Sequence, residues 1–184
     1  MIDIIGSFVV RAAVVLIILT TMANLSTSLY RQSERASLEV LVTGAGETIY
    51  NDLALAGYRS SSKLFLNADS LQARFYSDLN DDGVVETVRY YLGPGSSGTH
   101  RILYRTLNAG TPFEIARDVI LLNFTFYSTT GSSLTGTNVA GVKSVRIFLT
   151  IESNNKLRNI YSGTSDTLTY QKATWQGYVF PSNM

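Results

Sequence analysis

Apolar residues dominate the chain from Ile4 to Leu25, which reads IIGSFVVRAAVVLIILTTMANL. As a helix, about 22 residues extend roughly 33 Å, which matches the hydrocarbon thickness of a bilayer. Further on, the apolar positions thin out to helical spacing. They are Leu25, Leu29, Ala36 and Val40, then Leu38, Val42, Ala45, Ile49, Leu53 and Ala56. Arg31, Glu34, Arg35, Glu39, Glu47 and Asp52 supply a polar face between them. Gly57 follows as a C′ residue, with Tyr58 available for a hydrophobic contact. Gly44 and Gly46 weaken the run, each by up to about 1 kcal/mol against alanine. The pattern predicts one long N-terminal helix, membrane-spanning in its first half and amphipathic in its second.

After Arg59-Ser60-Ser61-Ser62 the period changes from 3.6 to two. Leu71, Ala73 and Phe75 alternate with Gln72, Arg74 and Tyr76. Val84, Val88, Tyr90 and Leu92 share one face of the next run, with Glu86 the odd member. Ile120, Leu122, Phe124 and Phe126 form another run, as do Val145, Ile147, Leu149 and Ile151. Ile102–Leu107 and Leu168–Phe180 are shorter candidates, and Gly/Ser/Thr/Asn-rich loops separate them at 93–99, 129–138 and 162–166. Such alternation implies an antiparallel sheet with one buried face, and the amphipathic half of the helix is its natural cover. The fold class is α+β. It divides into a hydrophobic N-terminal helix at 1–25, its amphipathic continuation at 26–57, and a β-sheet globular domain at 58–184.

Composition narrows the function. Among 184 residues, 15 Lys plus Arg balance 14 Asp plus Glu, which gives no electrostatic case for nucleic acid as a partner. Cysteine is absent, so disulfide scaffolds, thiolate metal sites and cysteine nucleophiles are excluded. A single histidine, His100, leaves little from which to build a hydrolase triad, and the reading is non-enzymatic. Asp3 with no Lys or Arg ahead of the apolar run, and no small-x-small cleavage site after it, argue for a retained anchor over a secretory signal. Arg11 lies inside that run. Either its long side chain snorkels to the nearer interface, or it pairs with a carboxylate on a neighbouring helix in an assembly. Arg31 and Arg35 flank the other end of the run and mildly favour keeping that end in the cytoplasm.

A helix with a membrane-grade half and a sheet-packed half resembles the type IV pilins. Tyr50-Asn51-Asp52-Leu53-Ala54-Leu55-Ala56-Gly57-Tyr58 is similar to the D-L-x-x-A-G-Y segment that ends the helix in minor pilins and type II secretion minor pseudopilins. The stretch from Phe75 to Leu92 resembles their first hairpin. Ile102-Leu103-Tyr104-Arg105-Thr106, then Ile115-Ala116-Arg117-Asp118-Val119, resemble the strand pair after it, and Phe124-Thr125-Phe126-Tyr127 fits the next strand. The resemblance covers about residues 4–150. It implies a filament subunit stored in the bacterial inner membrane by a single pass with its other domain extracytoplasmic, then built into a cell-surface or periplasmic filament. The implied partners are other pilin or pseudopilin subunits, an inner-membrane assembly platform, and membrane lipid before assembly. It also implies processing between Gly6 and Ser7, which would place Arg11 at the fifth mature position, where the family usually has glutamate. Phe8, Arg11 and Leu16 are then the assembly candidates. The alternative is a membrane-tethered extracytoplasmic binding module that does not polymerise.

Asp78, Asn80, Asp82 and Gly83 reproduce the start of a calcium loop, D-x-N-x-D-G, with Glu86 at its ninth position. Arg89 occupies the twelfth, where a bidentate glutamate belongs. The same residues suit a tight hairpin turn, since Asn, Asp and Gly accept positive dihedrals. Calcium is thus the only cofactor the residues suggest. His100 is expected in an exposed loop beside Arg101. Trp175 with Tyr170 and Tyr178 reads either as a binding stripe or as packing on a terminal strand.

Overall fold

The computed structural model describes residues 2–60, 64–95, 98–136, 139, 141–158 and 168–181. One helix, α1, runs Ile2–Ala54. Eight strands follow: β1 Phe65–Asp69, β2 Gln72–Ser77, β3 Glu86–Gly93, β4 Arg101–Leu107, β5 Phe113–Ser128, β6 Ser133–Leu134, β7 Val142–Arg158 and β8 Leu168–Val179. They form one antiparallel sheet in the order β1-β2-β3-β4-β5-β7-β8, with β6 paired to β5. The predicted α+β class is therefore what the chain adopts. The loop expected at 162–166 lies outside the described residues.

The chain divides into two compact units within α1, one ending at Ala36 and one beginning at Ser37. In the first unit the helix is long and apolar enough to cross a membrane, and none of its most apolar stretch is buried. In the second unit, Leu38, Val42, Ala45, Ile49 and Leu53 follow the helical repeat and are buried in the core with the sheet. Their partners include Phe65, Phe75, Val88, Tyr90, Leu122, Phe124, Phe126, Val145, Ile147, Leu149 and Ile151. Phe65 sits edge-on to both Phe75 and Phe126, at 6.1 and 5.3 Å between ring centroids. Val40, by contrast, is on the far face of the helix and 73% exposed.

Gly46 is buried, and a methyl group there would overlap the indole of Trp175 on β8. That ring also fills the space above Gly177, where a side chain would collide with it. Trp175 thus packs against the core on the helix-facing side. Tyr178, three residues further along the strand, points to the opposite face and is half exposed. The aromatic residues of β8 therefore do not line up as one stripe.

Two alternating runs begin before the strands they mark, by one residue at Leu71 and by two at Val84. Leu71 is exposed beyond the end of β1, where Leu71 N–H donates to Asp69, and Val84 is exposed in the loop before β3. Glu86, Val88 and Tyr90 are buried on the inner face of β3, and Leu92 packs half-buried against the same core.

Helix α1 ends in a manner the sequence suggests only in part. Gly57 is left-handed, with φ 81°. Its N–H donates to Tyr76 O at 2.6 Å and closes no helical carbonyl. The last turn tightens instead, with Leu55 N–H to Asp52 O and Ala56 N–H to Leu53 O. Ser77 Oγ donates to Leu55 O at 2.7 Å. The end of β2 thus caps the helix from outside.

Candidate functional site in the apolar helix and its junction

In the apolar half of α1 the side chains project outward: Phe8 is 73% exposed, Leu16 65%, and Arg11 is exposed between them. Threonines in this stretch do not interrupt its apolar character. Thr20 donates to the carbonyls of Leu16 and Ile17, Thr21 to Ile17 and Thr27 to Ala23, at 2.8 to 2.9 Å. A hydroxyl bonded to its own helix needs no partner in a dry environment. Arg11 is the one charged side chain between residues 4 and 30, and its need cannot be met in this way. Gly6 and Ser7 are helical and exposed, and a methyl group on Gly6 would meet nothing within 4 Å.

At the other end of the helix, a polar network unforeseen from the sequence joins three elements. Asp52 Oδ2 accepts hydrogen bonds from Tyr90 Oη of β3 and Arg105 Nε of β4, each at 2.6 Å. A carboxylate in the last turn of a helix opposes the helix dipole, and no basic residue occupies that turn. Arg105 supplies the missing positive charge from the sheet. Burial, reinforced by the Asp52 charge, pushes the Tyr90 phenol far above its ordinary value and keeps it a donor. The signal was present as Tyr90 and Arg105, which the sheet register pairs directly. Their common partner lies 38 residues from the nearer of them, and no local pattern could show it.

Asp78, Asn80, Asp82 and Glu86 come together in the connection between β2 and β3, and each has at least one side-chain oxygen engaged by a protein donor. Asp78 is fully buried, accepting from Asp82 N–H, Gly83 N–H and Arg59 Nη1. Asn80 accepts from Asp82 N–H, and Asp82 from Val84 N–H and the Asn80 amide. Glu86 accepts from Leu79 N–H. Asp81 and Gly83 take the positive dihedrals a tight turn needs, at φ 62° and 86°. Arg59 also pairs with Asp81 at 2.9 Å, and its guanidinium lies over the Tyr58 ring. Among the described residues, no group of three His, Asp or Glu side chains is arranged to hold a metal ion. Arg89 is on the outer face of β3, where it donates to Gln72.

His100 departs from expectation. It is buried, with Nε2 3.0 Å from Glu152 Oε2 and its ring edge-on to Tyr170. Glu152 also pairs with Lys172 at 3.0 Å. The Gly/Ser-rich loop permits this because Gly95 lies against the backbone of His100 and Arg101, where a side chain has no room. Loop composition signals exposure, but here glycine serves a close approach of one chain segment to another.

No protein-family model matches this chain, and comparison with the curated proteins gives no match.

Proposed function

We propose that this protein is a non-enzymatic structural subunit, a minor pilin or pseudopilin of a type IV pilus-like or type II secretion filament. The observation that carries the reading is the division of labour along α1. Its first half is apolar, self-satisfied and uncovered, while in the second unit the same helix is buried on one side by an antiparallel sheet. In this reading the first half is stored in the inner membrane as a single pass and then joins the helical core of a filament. Exchange of lipid for neighbouring helices costs little for aliphatic groups, because both surroundings are dry. Arg11 is the exception and pairs with a carboxylate of an adjacent subunit, with Phe8 and Leu16 packing beside it. The β-domain remains outside the core, free for assembly or surface contacts. Its partners are other subunits and the membrane assembly platform.

Intact mass of the native protein from membrane and sheared-filament fractions tests this. A mass matching loss of residues 1–6, recovered in sheared material, is the expected result. A full-length mass confined to membranes would overturn polymerisation and leave a tethered binding module. Arg11→Ala should reduce recovery in filaments while leaving membrane insertion intact, and unchanged recovery removes its pairing role.

A further inference from the structure

On the sheet face opposite the helix, two arginines stand directly across from each other. Arg74 of β2 and Arg89 of β3 are register partners, and both are exposed. Side chains so placed begin about 5 Å apart, and like charges there are destabilising. Among the described residues neither is ion-paired with a carboxylate. Surface arginines with this freedom would diverge into solvent, yet Arg89 is held. Its guanidinium stacks over the Tyr91 ring at 4.4 Å, and its Nε donates to Gln72 Oε1 at 2.9 Å. Gln72 is itself fixed, donating from Nε2 to Asp69 at 2.8 Å. These contacts set the plane of the guanidinium and leave its two terminal NH₂ groups unassigned.

Arg89 lines a concave surface of about 300 Å³ together with Arg74, Thr87 and Thr106. Thr106 continues the cross-strand row as the register partner of Arg89. The loop after β4 closes one side with Ala109 and Gly110.

We infer that this concavity is a binding site for a tetrahedral oxyanion, the phosphate or sulfate group of an ester. Two arginines and two threonines from three adjacent strands line it, whereas the two oxygens of one carboxylate can be saturated by a single arginine fork. A dianion or monoanion between Arg74 and Arg89 also turns their mutual repulsion into attraction. The proposal is independent of how the helix is used.

The test is calorimetric titration of the full chain in nonionic detergent at low salt, using inorganic phosphate, sulfate and acetate. Saturable binding of phosphate or sulfate is expected, at least about tenfold tighter than acetate. Phosphate affinity should rise between about pH 5 and 8 as the second proton leaves while sulfate affinity stays level, and at about pH 8 the tighter of the two ions names the source, phosphate ester or sulfate ester. Arg74→Gln and Arg89→Gln should each weaken binding about ten- to a hundredfold. Arg74→Gln should melt no lower than the parent, because it relieves a like-charge contact, so lost binding there cannot be ascribed to misfolding. Arg117→Gln, which removes an exposed arginine paired with Glu114 outside the concavity, should leave affinity unchanged. No saturable heat with either oxyanion, equal affinity for acetate, or an equal loss in Arg117→Gln would each overturn the proposal.

Discussion

Two glycines of α1, one turn-fraction apart, should respond to the same substitution with opposite sign. Gly44 is exposed, and a methyl group there meets nothing within 4 Å. Gly44→Ala should therefore stabilise the fold by up to about 1 kcal/mol, through helix propensity and a less flexible unfolded chain. Gly46→Ala gains the same amount but drives its methyl into the indole of Trp175. The ring cannot swing aside along its strand, because it already covers Gly177. Overpacking of this kind costs about 1–3 kcal/mol. Since the propensity gain is common to both variants, that cost is the expected stability gap between them. Denaturant unfolding of the full chain in nonionic detergent, followed by the fluorescence of Trp175, measures it, with equal m-values as the check on comparability. In a Trp175→Leu background, followed by far-UV circular dichroism, the gap should shrink towards zero. A Gly46→Ala protein as stable as Gly44→Ala would refute the close packing of helix on β8.

Asp52→Ala should cost about 2–4 kcal/mol, since it leaves the buried Tyr90 hydroxyl and the half-buried Arg105 guanidinium without their acceptor. Denaturation midpoints check this, and a loss below about 0.5 kcal/mol, the range of ordinary surface changes, would sink the network's role. Tyr90 is a group whose folded pKa is raised above its ordinary value of 10.0, so its contribution is complete below that pH and is lost as pH climbs above it. Stability should fall there by about 1.4 kcal/mol per pH unit more steeply in the parent than in Tyr90→Phe. Calcium should leave the melting temperature unchanged, because Asp78 is already occupied by two backbone N–H groups and Arg59. A calcium-dependent rise, strengthened in Arg59→Ala, would show instead that the cation displaces that arginine.

Features written in local periodicity were legible. The buried stripe of α1 follows its 3.6-residue repeat from Leu38 to Leu53, and β7 alternates as Val145, Ile147, Leu149 and Ile151. Gly57 takes the left-handed conformation its position suggested. What escaped depends on partners distant in the chain. Strand β1, Phe-Leu-Asn-Ala-Asp, carries no alternating run long enough to notice, and its place comes from pairing with β2. Gly46 read as a weak point because the indole that requires it lies on the last strand. His100 was misplaced for a related reason, since Glu152 and Tyr170, which bury it, are remote in sequence. The acidic turn showed its ligand spacing but not Arg59, whose charge from the helix terminus enters the same loop. Arg74 and Arg89 are unremarkable in sequence, and only the register of β2 on β3 sets them face to face.

The seating of Gly46 against Trp175 also has a consequence in time. A ribosome makes Gly46 roughly 130 residues before Trp175, an interval of about 6 to 25 seconds at ordinary elongation rates. Hairpins β1 to β5 join neighbours in chain order and can zip as they emerge. The helix cannot receive its final cover until β8 has left the ribosome. For those seconds the nascent chain carries part of its apolar stripe uncovered, which makes late translation the period of greatest exposure to proteases and to aggregation.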